Sequence, residues 1–417
     1  MLKGYTKAEK SWMLYDWANS AFATIIAAII LPIFFKEIAH QNGVSDVDAT
    51  AFWGYATSCG TLICAVLAPF MGTLGDFKGM KKRLFTFFML LGVISSALLA
   101  FTGNWKALLA LYVLGTLGFN GSCVYYDSFL LDVTTEERMD RVSTLGYGLG
   151  YIGGSTIPLV LSLLLIQFGD AIGIGTMLAT RISFLLTGGW WLAFTLPMLR
   201  HVHQKHGIDP ERNIVLHTLR NVRDTCCMIL KNKSVVFFII AYFFYIDGVG
   251  TIIHMATVFG DSCGLGSMDM MVVLLVVQIV AFPFAILYGK LAEKVGSRTM
   301  ILTGIATYIV VCFVAFRLST LRDFLILAVL VGTAQGGIQA LSRSFFGKLV
   351  PQESASEYFG FFDVFGKFSA VIGPTLFGLV AQATGVSRYG ILPVLGMFIL
   401  GGVIMAFVVP KNIQRIH

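Results

Sequence analysis

Charge is what this chain lacks most. Asp, Glu, Lys and Arg make up 13% of its 417 residues, about half the share carried by a water-soluble chain of that size. With hydrophobic residues at 56%, no hydrated shell can be drawn around a soluble core. Cysteine is no substitute for such a core. The seven cysteines, at 59, 64, 123, 226, 227, 263 and 312, form no CxxC pair and no His/Cys spacing suited to zinc, so neither a disulfide framework nor a metal site is expected. Catalytic signatures are missing too: there is no P-loop, no HExxH and no Ser/His/Asp order, which argues against an enzyme or a bound cofactor. Gly148-x-Gly150-x-x-Gly153 satisfies a dinucleotide fingerprint literally, but no strand precedes it. In an apolar helix, that spacing lets neighbouring backbones approach closely.

What is present is a series of long apolar segments. Twelve of about 20 residues centre near residues 25, 62, 93, 119, 156, 191, 247, 280, 309, 336, 371 and 399. The expected fold class is an all-α membrane protein with twelve transmembrane helices. The first apolar run is too long for the core of a signal peptide and lacks a cleavage site, so it reads as a spanning helix. If the N-terminus is cytoplasmic and the helices alternate, 22 of the 30 Lys and Arg fall on cytoplasmic segments and 6 on outer ones. That bias places both termini in the cytoplasm of a cell-membrane protein and explains the net charge of +7 without nucleic acid. The remaining two, Arg343 and Lys367, lie inside apolar segments.

The chain also repeats itself. Gly72, Leu74, Asp76 and Gly79 match Gly289, Leu291, Glu293 and Gly296 at an offset of 217. Residues 127–158 align without a gap on 343–374 at an offset of 216, with Ser128/Ser344, Phe129/Phe345, Glu137/Glu353, Gly150/Gly366 and Pro158/Pro374 coinciding. Two blocks at nearly one offset imply a duplicated six-helix unit. The expected organisation is a bundle over 1–199, a linker over 200–233 and a second bundle over 234–417. Parallel repeats of this kind are the architecture of rocking transporters, whose site lies between the repeats. In the linker, Asp209-Pro210-Glu211 is a helix start. Ile214, Leu219, Val222 and Ile229 alternating with Arg220, Arg223 and Lys231 predict a basic amphipathic helix on the inner leaflet.

The loop GTLGDFKGMKKR (72–83), echoed by GKLAEKVGSR (289–298), resembles the signature loop of the major facilitator superfamily. YDWANSAF, RVSTLGYGLGYIGG and QALSRSFFGKLVP…EYFGFFDVFGKFSAVIGP resemble, more narrowly, the autophagy-related vacuolar effluxer family, which includes many bacterial proteins of this length. The resemblance covers the whole chain and departs from the usual pattern at Glu293, where Asp is commoner. It implies a secondary transporter in two pseudo-symmetric six-helix bundles, with amino-acid efflux attached to the fungal branch.

An ionisable group at membrane depth is a functional candidate. Asp16, Asp127, Arg343, Asp363 and Lys367 are expected in the cytoplasmic half of the membrane, and Asp247 near its midplane. Asp16, one turn from Asn19, reads either as an interfacial helix-start acid between belt residues Trp12 and Trp17 or as part of a functional Asp/Asn pair. Asp363 and Lys367 are spaced for an i,i+4 ion pair. Asp127 and Arg343 occupy equivalent repeat positions. They form either a gate that pairs when one side closes or a clamp, with Arg343 taking a substrate carboxylate and Asp127 or Asp247 an ammonium. Tyr125, Tyr126, Gln335 and Gln339 would supply neutral hydrogen bonds. Asp247 is the candidate for proton coupling, with His254 two turns beyond. The loop residues Gly72, Asp76, Gly79, Arg83, Gly289, Glu293, Gly296 and Arg298 are expected to gate, Asp76 as a lock that caps a helix end or meets an arginine.

Three functions compete at this point. The first is an ion-coupled, alternating-access carrier of a small polar or zwitterionic solute, working as a monomer among membrane lipids. The second is an exporter of amphiphiles or lysolipids, for which 35 phenylalanines would be suited. The third is a non-transporting receptor or scaffold, against which stand the short loops and the duplication.

Overall fold

The computed structural model describes residues 2–171, 173–209, 214–262, 266–318 and 320–409. Among these residues the chain is helical apart from turns, with one isolated β-bridge between Phe77 and Ile208. Twelve helices among the described residues are long and apolar enough to cross a membrane: α1 (Lys7–Gln41), α2 (Asp46–Asp76), α3 (Met80–Phe101), α4 (Trp105–Val133), α5 (Glu136–Phe168), α6 (Gly175–His201), α7 (Lys233–Ala256), α8 (Asp269–Val295), α9 (Ser297–Ala315), α10 (Leu321–Leu349), α11 (Ala355–Thr384) and α12 (Ser387–Val408). Each contains one of the expected centres. In lipid the backbone must satisfy itself, which leaves the helix as the spanning element. Large apolar side chains such as Phe87, Phe101, Phe313 and Phe407 are left on the outer surface.

Local chemistry sets where the helices begin. Thr6 and Glu9 form a capping box that starts α1, and Thr320 and Asp323 do the same for α10. Because α1 begins at Lys7, Asp16 lies well inside the helix and is buried, so it is not a helix-start acid. Trp12 is not a belt residue either: its ring stacks on Tyr126 at 4.4 Å and its indole N–H donates to the Tyr126 carbonyl at 2.7 Å. Among the described residues three helices widen into π-turns, α12 over Ile404–Val408 and, in the first half of the chain, α1 over Phe22–Ile29 and α5 over Gly150–Thr156. The two in the first half contribute to the central cavity described below, as π-turns at functional sites often do.

The duplication is visible in the helix bounds. α4 and α10 are related by a shift of 216 at both ends. The two halves meet where α2 runs along α11, and where α5 runs along α8 and α10. Glycine permits the close approach. A methyl group on Gly72 would come within 2.8 Å of the Glu357 Cα, and one on Gly148 within 3.3 Å of the Phe282 carbonyl oxygen. Gly150 and Gly153 lie against α1, at Asp16 and under the Trp17 ring; this is helix packing, and no nucleotide cradle is formed.

Past α6 the chain crosses the face that carries the termini. Gln204 accepts the Gly79 N–H at 3.0 Å and donates to the Gly75 carbonyl at 3.2 Å. The linker helix spans Ile214–Lys231 and packs on α2. The expected helix start at Asp209-Pro210-Glu211 falls on residues 210–213, which lie outside the described residues, as do Cys263 and the last eight residues of the chain. The described side chains of the linker helix bury Thr225 and Ile229 and expose Met228 and Leu230.

Candidate functional site

A cavity of about 830 Å³ lies between the halves, walled by α1, α2, α4, α5, α7, α8, α10 and α11. It runs from Asp16, Asp127 and Arg343 to Trp53, His254 and Leu274, which are near the ends of their helices opposite the termini. Asp16, Asn19, Tyr126, Asp127, Gln335, Gln339, Arg343 and Asp363 all line it. The size suits a small-molecule site.

Three expected site residues lie elsewhere. Tyr125 points away from the cavity face of α4 and is buried against α2, donating to the Met71 carbonyl at 2.8 Å. Asp247 is buried between α7 and α11, where one carboxylate oxygen accepts the Gly373 N–H at 2.9 Å. Its neighbour Ile246 reaches the cavity instead. Lys367 is paired with Asp363 on its own helix and is turned towards Cys64 and Asn120 in a small gap between α2 and α4.

Arg343 is the most heavily bonded group in the wall. Its Nε donates to the Ser143 Oγ at 2.9 Å and one terminal nitrogen to Asp127 at 2.9 Å. The other terminal nitrogen donates to the Ser143 carbonyl at 3.0 Å and to Asp16 at 3.3 Å. Asp16 also accepts from the Tyr126 hydroxyl at 2.7 Å. The guanidinium lies over the rings of Tyr147, Trp12 and Tyr126, at 4.4, 4.7 and 5.2 Å. Every one of these partners belongs to the first half of the chain, while Arg343 belongs to the second. A planar fork with five donors is suited to bridging several acceptors at once.

Further contacts close the face that carries the termini. Asp76, at the end of α2, accepts the backbone N–H groups of Ser356 and Glu357, each at 2.8 Å, and so caps the first turn of α11 with a negative charge. Its repeat counterpart does something different. Glu293 is exposed and sits 3.8 Å from Arg141, and among the described residues it caps no helix end. On that side Asp140 of α5 takes over, accepting from Ser297 at 2.6 Å, Ser344 at 2.6 Å and Lys348 at 2.6 Å. Ser344 and Asp140 are the repeat partners of Ser128 and Ser356, whose hydroxyls meet at 3.1 Å.

The remaining loop residues divide by role. Gly79 adopts the left-handed conformation (φ 79°) that a side chain would strain, and Gly296 also has positive φ. Gly289 seats α8 against Thr144 and Arg141. Arg83 is exposed, and Arg298 holds the Met405 and Ala406 carbonyls of α12 within its own half, so neither bridges the halves. The sequence reading passed over Lys81, Asp132, Asp140, Ser143 and Lys348. Lys81 and Asp132 form a fully buried ion pair at 2.9 Å, and Asp132 also accepts the N–H groups of Lys205 and His206. The repeat offset was the one signal that could have found Asp140, through Ser356.

The family described as "Vacuole effluxer Atg22 like" matches residues 6–137 and 131–415. The chain belongs to that family. It is 47% identical over 412 residues to the "Uncharacterized MFS-type transporter YxiO" of Bacillus subtilis, covering 98% of this chain and 96% of the relative. It is 24% identical to "Autophagy-related protein 22" of Eremothecium gossypii, covering 91% and 86%. Among solved structures, the proton:xylose symporter XylE superposes with a TM-score of 0.77 at 13% identity, covering 98% and 96%, which establishes the major facilitator fold. This Atg22-like protein is therefore a multi-pass membrane transporter and not an enzyme.

Proposed function

We propose that the protein is a secondary active transporter that carries a small polar, amino-bearing solute by alternating access. The observation that carries this reading is the central cavity, reaching towards one face while the other is closed by bonds crossing between duplicated halves. With the termini in the cytoplasm, as the Lys and Arg bias implies, the conformation is outward-facing. The wall residues Asn19, Gln335, Gln339, Tyr126 and Asp127 favour a hydrogen-bonding solute over an acyl chain. The Arg343 cluster combines the two roles open from sequence: it is the latch of this conformation and the floor of the cavity. Opening the latched side exchanges its partners for water or for solute. Three carboxylates and one buried arginine on the wall also make proton coupling reasonable, since a proton can replace a lost partner.

The test is reciprocal motion. Spin labels at the exposed positions Arg83 and Glu293 report the face with the termini, and labels at Val47 and Arg322 report the opposite face. In lipid nanodiscs two populations are expected, in which one distance lengthens as the other shortens. One fixed pair of distances, unchanged in wild type and in latch variants, would refute the carrier reading.

A further inference from the structure

Which kind of amino-bearing solute fits is contained in how the charges of the cavity are turned. Both cations are withdrawn into protein: the side chain of Arg343 is 3% exposed and that of Lys367 is 10% exposed. The carboxylates facing them are turned to the space: Asp127 and Asp363 are each 27% exposed and both line the cavity. Each spends one oxygen on its cation, and among the described residues the second oxygen of each carries no hydrogen bond. With Asp16 included, three carboxylates stand against two cations, a surplus of one negative charge in a low-dielectric site. Aromatic surface from Phe119, Tyr242 and Phe362 is also present on the wall, and ring faces attract cations.

We infer that the solute is an organic monocation, an amine without a free carboxylate, and that Asp127 and Asp363 are its specificity-determining contacts. This rests on the carrier reading above and deepens it. A monocation neutralises the surplus charge and gives the free carboxylate oxygens a donor. A zwitterionic amino acid brings the same ammonium, but among the described residues its carboxylate finds no permanently charged cation free on the wall, where His254 is the one further side chain able to take a positive charge. Arg343 already donates to Ser143, Asp16 and Asp127, and Lys367 is held by Asp363. Taking the guanidinium for the solute would dismantle the latch, and leaving the solute carboxylate unpaired in the cavity carries a desolvation cost.

The experiment uses probes that share a side chain and present a cation, a zwitterion or an anion: leucinamide, leucine and N-acetylleucine, and the same three headgroups on phenylalanine. Binding to the full-length protein in nanodiscs is read by tryptophan fluorescence and by the melting shift. Both amide cations are expected to bind at least about tenfold tighter than the zwitterions, and the N-acetyl acids not to bind. Asp127→Asn and Asp363→Asn are each expected to weaken the cations about tenfold and to narrow the gap between cation and zwitterion. Equal or tighter binding of the zwitterions or acids on both skeletons overturns the inference. So does the absence of binding by all six compounds at millimolar concentration. If the label pairs still interchange in that case, the carrier reading stands and the substrate class alone has failed; if they do not, the carrier reading has failed as well. The wild-type series needs no variant, so a folding defect in either substitution leaves the test intact.

Discussion

Arg343→Lys keeps the charge and removes the fork, which makes it the sharpest probe of the latch. The arginine makes four hydrogen bonds, at 2.9, 2.9, 3.0 and 3.3 Å, all to the opposite half. Lysine carries its donors on one atom and cannot span both Ser143 and the two carboxylates, so at least two of the four are lost. Bonds involving a charged group are worth about 1.5–3 kcal/mol each, and water in the cavity offsets about half of the loss. A net cost of about 1.5–3 kcal/mol falls on this conformation alone, because the bonds exist only while the two halves are closed at this face. That moves the equilibrium roughly 10- to 150-fold towards the state open on the side of the termini. The label pair on Arg83 and Glu293 should lengthen accordingly. Lys367→Met is the comparison: its ion-pair partner is on the same helix, and towards α2 and α4 it offers packing in a small gap and no ion pair, so the expected shift is smaller than that of Arg343→Lys. An Arg343→Lys protein with wild-type populations would refute the latch, as would a Lys367→Met protein that shifts as far.

Two other predictions concern residues that hold the scaffold. Lys81→Met leaves Asp132 buried and without its cation, at a cost of about 3–5 kcal/mol, so the melting temperature should fall sharply. Lys81→Met/Asp132→Leu should recover only part of this, because Asp132 also accepts the Lys205 and His206 N–H groups; a single variant that melts like wild type would count against the buried pair. Asp247→Asn keeps an oxygen for the Gly373 N–H, so label distances and cation binding should be unchanged, whereas Asp247→Ala should lower stability by about 1–3 kcal/mol. Loss of cation binding in Asp247→Asn with normal melting would return Asp247 to the site.

How much of this could be read from sequence depends on whether a residue's role follows from period or from contact. The twelve helices and the repeat are matters of composition and spacing, and both appear in the helix bounds. The side of a helix that a charge faces is harder to read. Tyr125, Tyr126 and Asp127 are adjacent in sequence, yet Tyr125 turns to α2 and its two neighbours to the cavity. Asp247 lies off the cavity for the same reason: depth in the membrane is readable, rotation about the helix axis is not. Asp16 was ambiguous because its reading depended on where α1 begins, and that was decided by the Thr6–Glu9 box one turn earlier than the apolar run suggests. Lys81 and Asp132 were hidden by lying at segment ends, where a charge ordinarily reads as solvated.

The duplication also explains why opposite charges sit at equivalent positions. Residues related by a pseudo-two-fold axis and lying close to it face each other, so a charge inherited by both copies would repel itself across the seam. Reversal of sign at 127 and 343 turns that repulsion into the 2.9 Å contact that joins α4 to α10. The next such pair, Asp132 and Lys348, has diverged in direction instead. Asp132 turns inward to Lys81 within its own half, and Lys348 crosses to Asp140. The two seams are consequently closed by different chemistry, α2 against α11 by a carboxylate on backbone N–H groups and α5 against α10 by a buried ion pair. A symmetric pair of locks would leave the halves equivalent; these do not, and the surplus carboxylate that remains at the axis is available to whatever cation the cavity admits.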